Sequence, residues 1–241
     1  MRFRLAGALL LALMAAGGTA RAGDAGRRCA PAEDLRPGGH APRAMRVAEA
    51  AGRAHFLRGG EAGEACPGAE PACMARAYLV PGDHVVVTRL LGGFACAAFV
   101  GPPPRFAETT GWLARAALTE PHLPPPPPAA WAGAWIGDGA RIVIRREAGG
   151  RIGLAGAAGS GAGAAEFAAA VTPEGDAAGF ATDAAGALLA ARAAPAEAPG
   201  CAVRLWLLGA VLAVADNGRC GNSHAIFNGF YHRTVDAAAT K

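Results

Sequence analysis

The run Leu123-Pro124-Pro125-Pro126-Pro127-Pro128 restricts the architecture of this chain more than any other feature. Five consecutive prolines lack backbone N–H donors and hold φ near −65°, so neither a helix interior nor a paired central strand can cross them. The segment predicts a stiff, extended connection of about 3.1 Å per residue in the polyproline conformation. It divides the 241 residues into 45–120 and 131–234, with 121–130 as a Pro-rich linker. Each part is long enough for one small domain with its own core.

Residues 1–22 have the layout of a secretory leader: Arg2 and Arg4 are the basic start, Leu5 to Ala16 the apolar run, and Ala20-Arg21-Ala22 a small-residue cleavage site. The apolar run is shorter than the roughly 20 residues a spanning helix needs, so no stable membrane insertion is expected. Residues 23–44 hold turn formers without an apolar period and read as an extended arm tied down by Cys29. Residues 235–241 read as a tail. Cleavage near Ala22 removes three arginines and lowers the formal charge from +4 to +1. No Arg cluster interleaved with aromatics is present, so nucleic acid is not an expected partner.

Six cysteines remain, Cys29, Cys66, Cys73, Cys96, Cys201 and Cys220. An even number in an exported chain points to disulfides, and without a CxxC pair neither a metal site nor a cofactor is expected. Composition excludes other chemistry. The single Lys is Lys241, so no Lys follows a glycine loop as a P-loop requires. The two serines, Ser160 and Ser223, lie outside any GxSxG, and Ser223 and His224 are adjacent, so their side chains diverge in a strand.

In the first part, Ala77-Tyr78-Leu79-Val80, the turn Pro81-Gly82-Asp83 and His84-Val85-Val86-Val87 start a β meander. Phe94 to Val100 and Gly111-Trp112-Leu113 continue it toward a small barrel. With the strand Ala54 to Gly59, the Pro-Gly-Asp turn before a Val-rich strand, the Gly-Gly-Phe strand start and the closing Gly-Trp-Leu, residues 45–118 resemble bacterial SH3-like domains. Glu61 to Met74, carrying Cys66 and Cys73, departs from that pattern. The resemblance implies a partner outside the cytoplasm, peptidoglycan or an envelope protein, held in an aromatic groove. The candidate ligand-binding residues are Phe56, Tyr78, Phe94 and Trp112. Phe56 and Phe94 are expected mainly in the core, while Tyr78 and Trp112 have polar tips that suit a wet edge, and Trp112 leads.

In the second part, Arg141-Ile142-Val143-Ile144-Arg145 alternates as a strand with one wet face. Residues 148–200 hold 33 Ala or Gly among 53 and predict weak strands joined by long loops. Gly209-Ala210 predicts a tight hairpin pairing Leu208 with Val211, which brings Cys201 within reach of Cys220. Of the three pairings left open to the other four cysteines, Cys66 with Cys73 and Cys29 with Cys96 are favoured. Gly133-x-Trp135 on a first strand and Arg233 on a last strand resemble lipocalin-like barrels, which implies that Arg233 caps the Trp135 ring and closes the barrel. The stretch 216–233 also resembles the end of exported bacterial proteins of unknown role. All three Asn, Asn217, Asn222 and Asn228, fall together with Ser223, and their expected role is turn chemistry.

The expectation is an all-β protein: an N-terminal SH3-like barrel, a Pro-rich linker and a C-terminal small antiparallel lipocalin-like β-barrel. Its expected role is that of an exported, periplasmic or secreted, non-catalytic binder. The alternatives are an inhibitor of a cell-wall-degrading enzyme and a small-ligand carrier using the second barrel.

Overall fold

The computed structural model describes residues 27–63, 65–101, 107–159, 164–189, 198–221 and 227–234. The expected leader, Asn222, Ser223 and the tail lie outside them. The fold is all-β, in two antiparallel sheets.

The first sheet contains β1 (Arg43–Val47), β2 (Ala54–Leu57), β3 (Met74–Leu79), β4 (His84–Leu91), β5 (Phe94–Val100), β6 (Glu108–Ala114) and β7 (Leu118–Thr119), in the order β3-β2-β6-β5-β4-β1-β7. Two turns set its register. Pro81 and Gly82 occupy the corners of a turn in which Gly82 takes φ +91°, and Asp83 closes it twice, by N–H to Val80 O and by accepting the Val80 N–H at 2.8 Å. Gly92, at φ +54°, starts the two-residue loop that pairs Leu91 with Phe94. The sheet curls into a half-barrel around Met45, Phe56, Leu79, Val85, Val87 and Leu113.

The second sheet is an up-and-down meander in which consecutive strands pair, apart from β11 and β12. Its strands are β8 (Gly133–Gly137), β9 (Ala140–Arg146), β10 (Ile152–Ala158), β11 (Ala165–Val171), β12 (Ala177–Ala181), β13 (Ala202–Leu208), β14 (Val211–Asp216) and β15 (Gly229–Arg233). β15 pairs with β8, so the barrel is closed except for a seam between β11 and β12. Leu208 pairs with Val211 and Leu205 with Val214, the hairpin register set by Gly209-Ala210. Trp135, Ile142, Leu154, Phe180, Leu205 and Tyr231 fill the interior.

The described part of the Ala- and Gly-rich stretch carries three strands, β10, β11 and β12. Ile152, Leu154 and Ala158 of β10 point inward at a period of two, and the small residues between them face outward. Gly156 is the exception inside: a Cβ there would lie 2.3 Å from the Phe167 ring. That ring packs against Phe180 at 5.3 Å and Phe227 at 4.7 Å, so it has little freedom to retreat. Gly156→Ala is therefore expected to destabilise the barrel by about 1–3 kcal/mol, as overpacking does, read as a lower urea midpoint.

The prolines do not hold the two halves apart. The run leads into a short helix, α1 (Pro128–Trp131), whose Trp131 is buried in the barrel core. Between the sheets lies a further core in which Val86 and Ala98 from the outer face of the first meet Trp206, Leu208 and Phe230 from the outer face of the barrel. Leu35 of the N-terminal arm, 1% exposed, is wedged into it, and Asn228 Nδ2 donates to Leu35 O at 3.3 Å. The physical reason is strand patterning. Inner-facing Leu205 and Leu207 alternate with outer-facing Trp206 and Leu208, so both faces of β13 are apolar and both require burial.

Candidate functional site

The four candidate aromatics separate. Trp112 has no exposed surface, which corrects its leading place as a ligand contact. Its indole N–H donates to Arg27 O at 2.7 Å, and the Arg89 guanidinium lies 5.1 Å from its ring. Leu57 and Cys96 pack around it, with Cys29 and Phe94 at the edge. The arm, tied by the Cys29–Cys96 disulfide, runs over the place where a groove was expected. Phe56 is also buried, and Phe94 is half-buried in the Trp112 cluster, so neither presents a binding face.

Tyr78 is different. It stands on β3, the edge strand of the first sheet, and keeps 43% of its surface exposed. It sits between two cationic or titratable neighbours: the Arg53 guanidinium is 4.5 Å from its ring centre, and the His55 ring, directly across the ladder, is 5.4 Å away. His55 Nδ1 is 3.3 Å from Ala75 O, which orients the imidazole. Met74, Arg76 and Tyr78 alternate onto the same exposed face. The Cys66–Cys73 disulfide closes the loop immediately before β3, and Arg58 N–H bonds Cys73 O at 2.7 Å, so the face has a fixed entry. An aromatic beneath a guanidinium and beside an imidazole, on an unpaired sheet edge, can stack on a sugar or peptide plane and bond an extended chain.

The remaining cysteines form Cys201–Cys220. No cysteine is free, and three disulfides mark maturation in an oxidising compartment. No described helix is long and apolar enough to cross a membrane. Among the described residues no group of His, Cys, Asp and Glu is arranged to hold a metal ion.

At the barrel closure, the Arg233 guanidinium lies 4.9 Å from the Trp135 ring centre and donates to Ala130 O, while Trp135 Nε1 donates to Trp131 O at 2.9 Å. Gly133, at φ +142°, leaves room for the Arg233 side chain. The two described asparagines serve backbone. Asn217 accepts from Ala202 N and Arg219 N and donates to Gly200 O, and Asn228 accepts from Asp216 N. Burial, with Asp216 nearby, pushes the Tyr231 phenol up, so it stays a donor, to Phe227 O at 2.9 Å.

Two titrations are shifted where the sheets meet. Burial lowers the His232 pKa and favours its neutral form. Desolvation, then the charge of Asp138, raises the Glu108 pKa. Glu108 belongs to the first sheet and Asp138 to the turn after β8, so the two carboxylates repel across the contact. A raised folded pKa favours folding below the ordinary carboxylate range, and that advantage is lost as pH rises through the folded value. Glu108→Gln is accordingly expected to stabilise at neutral pH and to have no effect in acid. The gain is at most about 1 kcal/mol, because the side chain keeps solvent contact. Urea midpoints of both proteins at the two pH values check this.

Clefts flank the arm and the linker. One of about 690 Å³ lies between the arm and β1 and β4. Another, of about 460 Å³, lies beneath Pro124 to Pro126. The opening at the barrel seam measures about 280 Å³. The arm cleft draws on Arg36, Arg89 and Arg115, which sequence reasoning did not single out. Their positions depend on where the arm lies, and only Cys29 hinted at that. No family model, curated protein or solved structure matches the chain.

Proposed function

We propose that this is an exported, non-catalytic binding protein of the bacterial envelope, whose SH3-like N-terminal unit holds peptidoglycan or an envelope protein. The contact surface is the Tyr78 face. The observation that carries this reading is the exposed Tyr78 ring on an edge strand, flanked by Arg53 and His55. The buried position of Trp112 supports it by elimination, since that ring is committed to the arm. The filled barrel interior and its small seam opening favour surface binding over carriage of a ligand inside.

Co-sedimentation with purified peptidoglycan sacculi tests the proposal. Saturable pelleting of the oxidised protein, reduced at least tenfold in apparent affinity by Tyr78→Ala, is the expected result. A loss of that size corresponds to about 1.4 kcal/mol, within the range of one aromatic contact. Absence of pelleting overturns the peptidoglycan form of the reading and turns the search to envelope proteins, wall-degrading enzymes first.

A further inference from the structure

We propose a second binding site, in the cleft between the N-terminal arm and β1 and β4, for a small carboxylate ligand with an apolar body. It does not rest on the Tyr78 reading and lies at the other end of the strand order. The cleft, about 690 Å³, falls within the roughly 300–1,000 Å³ range of small-molecule sites.

Its charge is unbalanced. Four arginines line it, Arg36, Arg43, Arg89 and Arg115, against two acids, Asp34 and Glu120, before His40 is counted. Both acids are engaged: Asp34 accepts from Arg89 at 3.3 Å and from Thr88 at 3.0 Å, and Glu120 accepts from Arg43 at 3.3 Å. Arg115 donates to a neutral acceptor, Leu118 O at 3.0 Å, and so keeps its charge. Arg36 is exposed and has no acidic partner among the described residues. Among the described residues, two guanidinium charges therefore stand without a counter-charge around one cavity. A planar carboxylate is a group that guanidinium donors match in a two-bond fork.

The rim selects against a bare ion. Leu90, 56% exposed, gives the cleft an apolar edge beside the arginines. A ligand that fills this space places its charge toward Arg36 and Arg115 and its carbon skeleton on Leu90.

The site is also preformed. The arm wall is fastened by the Cys29–Cys96 disulfide, by the ion pair and hydroxyl bond to Asp34, and by buried Leu35 and Pro37. Little ordering then remains to be done when a ligand enters.

Calorimetric titration of the oxidised full chain with octanoate, octanol and inorganic phosphate tests this. The expected result is one saturable octanoate site, with octanol and phosphate each at least tenfold weaker. Arg36→Ala is expected to weaken octanoate at least tenfold with no change in the urea midpoint, since Arg36 makes no described contact that folding needs. A heat that does not saturate, equal binding of octanol or phosphate, or octanoate affinity unchanged in Arg36→Ala overturns the proposal.

Discussion

Trp112→Ala is expected to lower the unfolding free energy by about 3–5 kcal/mol, the range for removing a fully buried large aromatic. The side chain has no exposed surface and sits where β6, Cys96 of β5 and the arm meet. Three contacts go at once. The packing against Leu57 and Cys96 is lost, the Arg27 carbonyl loses its indole donor, and Arg89 loses the ring beneath it. Tyr78→Ala, at a site still 43% exposed, is expected to change stability by no more than about 0.5 kcal/mol. Urea unfolding of the two variants side by side separates the buried aromatic from the exposed one. Equal midpoints would contradict their assignment. The same contrast explains why a Trp112 variant is a poor probe of ligand contact: any lost binding would follow from a disturbed arm.

The second large effect concerns the arm's covalent tie. Replacing Cys29 and Cys96 together by Ser opens a link between residues 67 apart. Loop-closure entropy alone puts that at about 4 kcal/mol, against about 2 kcal/mol for the link between Cys66 and Cys73, 7 residues apart. The consequence is local as well as global. Without the tie, the start of the arm is held only by hydrogen bonds to the carbonyls of Arg27 and Arg28, while Asp34 and buried Leu35 anchor it further on. Trypsin is then expected to cut at Arg27 and Arg28 under conditions where the oxidised parent resists. A midpoint shift equivalent to less than about 1 kcal/mol, with unchanged proteolysis, would contradict a structural role for the arm.

Features set by local chemistry were legible in the sequence. The Gly209-Ala210 loop decides which residues of β13 and β14 face each other, because a two-residue turn leaves one register. That register placed Cys201 near Cys220. The Pro81-Gly82 corner and the Gly92-Gly93 loop likewise announced their strands. Tyr78 was legible as a residue whose polar tip suits a wet edge, although its Arg53 and His55 neighbours were not.

Features set by distant contacts were not legible. Trp112 is covered by a carbonyl 85 positions earlier in the chain, so its own neighbourhood, Gly111-Trp112-Leu113, carries no sign of burial. The contact between the sheets escaped for a related reason. Leu205-Trp206-Leu207-Leu208 is apolar on both faces, a pattern that signals cover on both sides of a sheet but does not say what the cover is. Here the cover is the first sheet and Leu35. The strands β10 and β11 were diluted in composition by alanine and glycine, yet Ile152, Leu154 and Phe167 kept the period of two that folds them.

In this proposal a ligand of the envelope meets the first sheet at the Tyr78 edge. Backbone amide NMR of the oxidised protein, titrated with solubilised peptidoglycan fragments, tests it most directly. Saturable shifts concentrated at Arg53 to Arg58 and Met74 to Val80, absent in Tyr78→Ala, are the expected result. Shifts centred on other strands, or shifts retained in that variant, would contradict it.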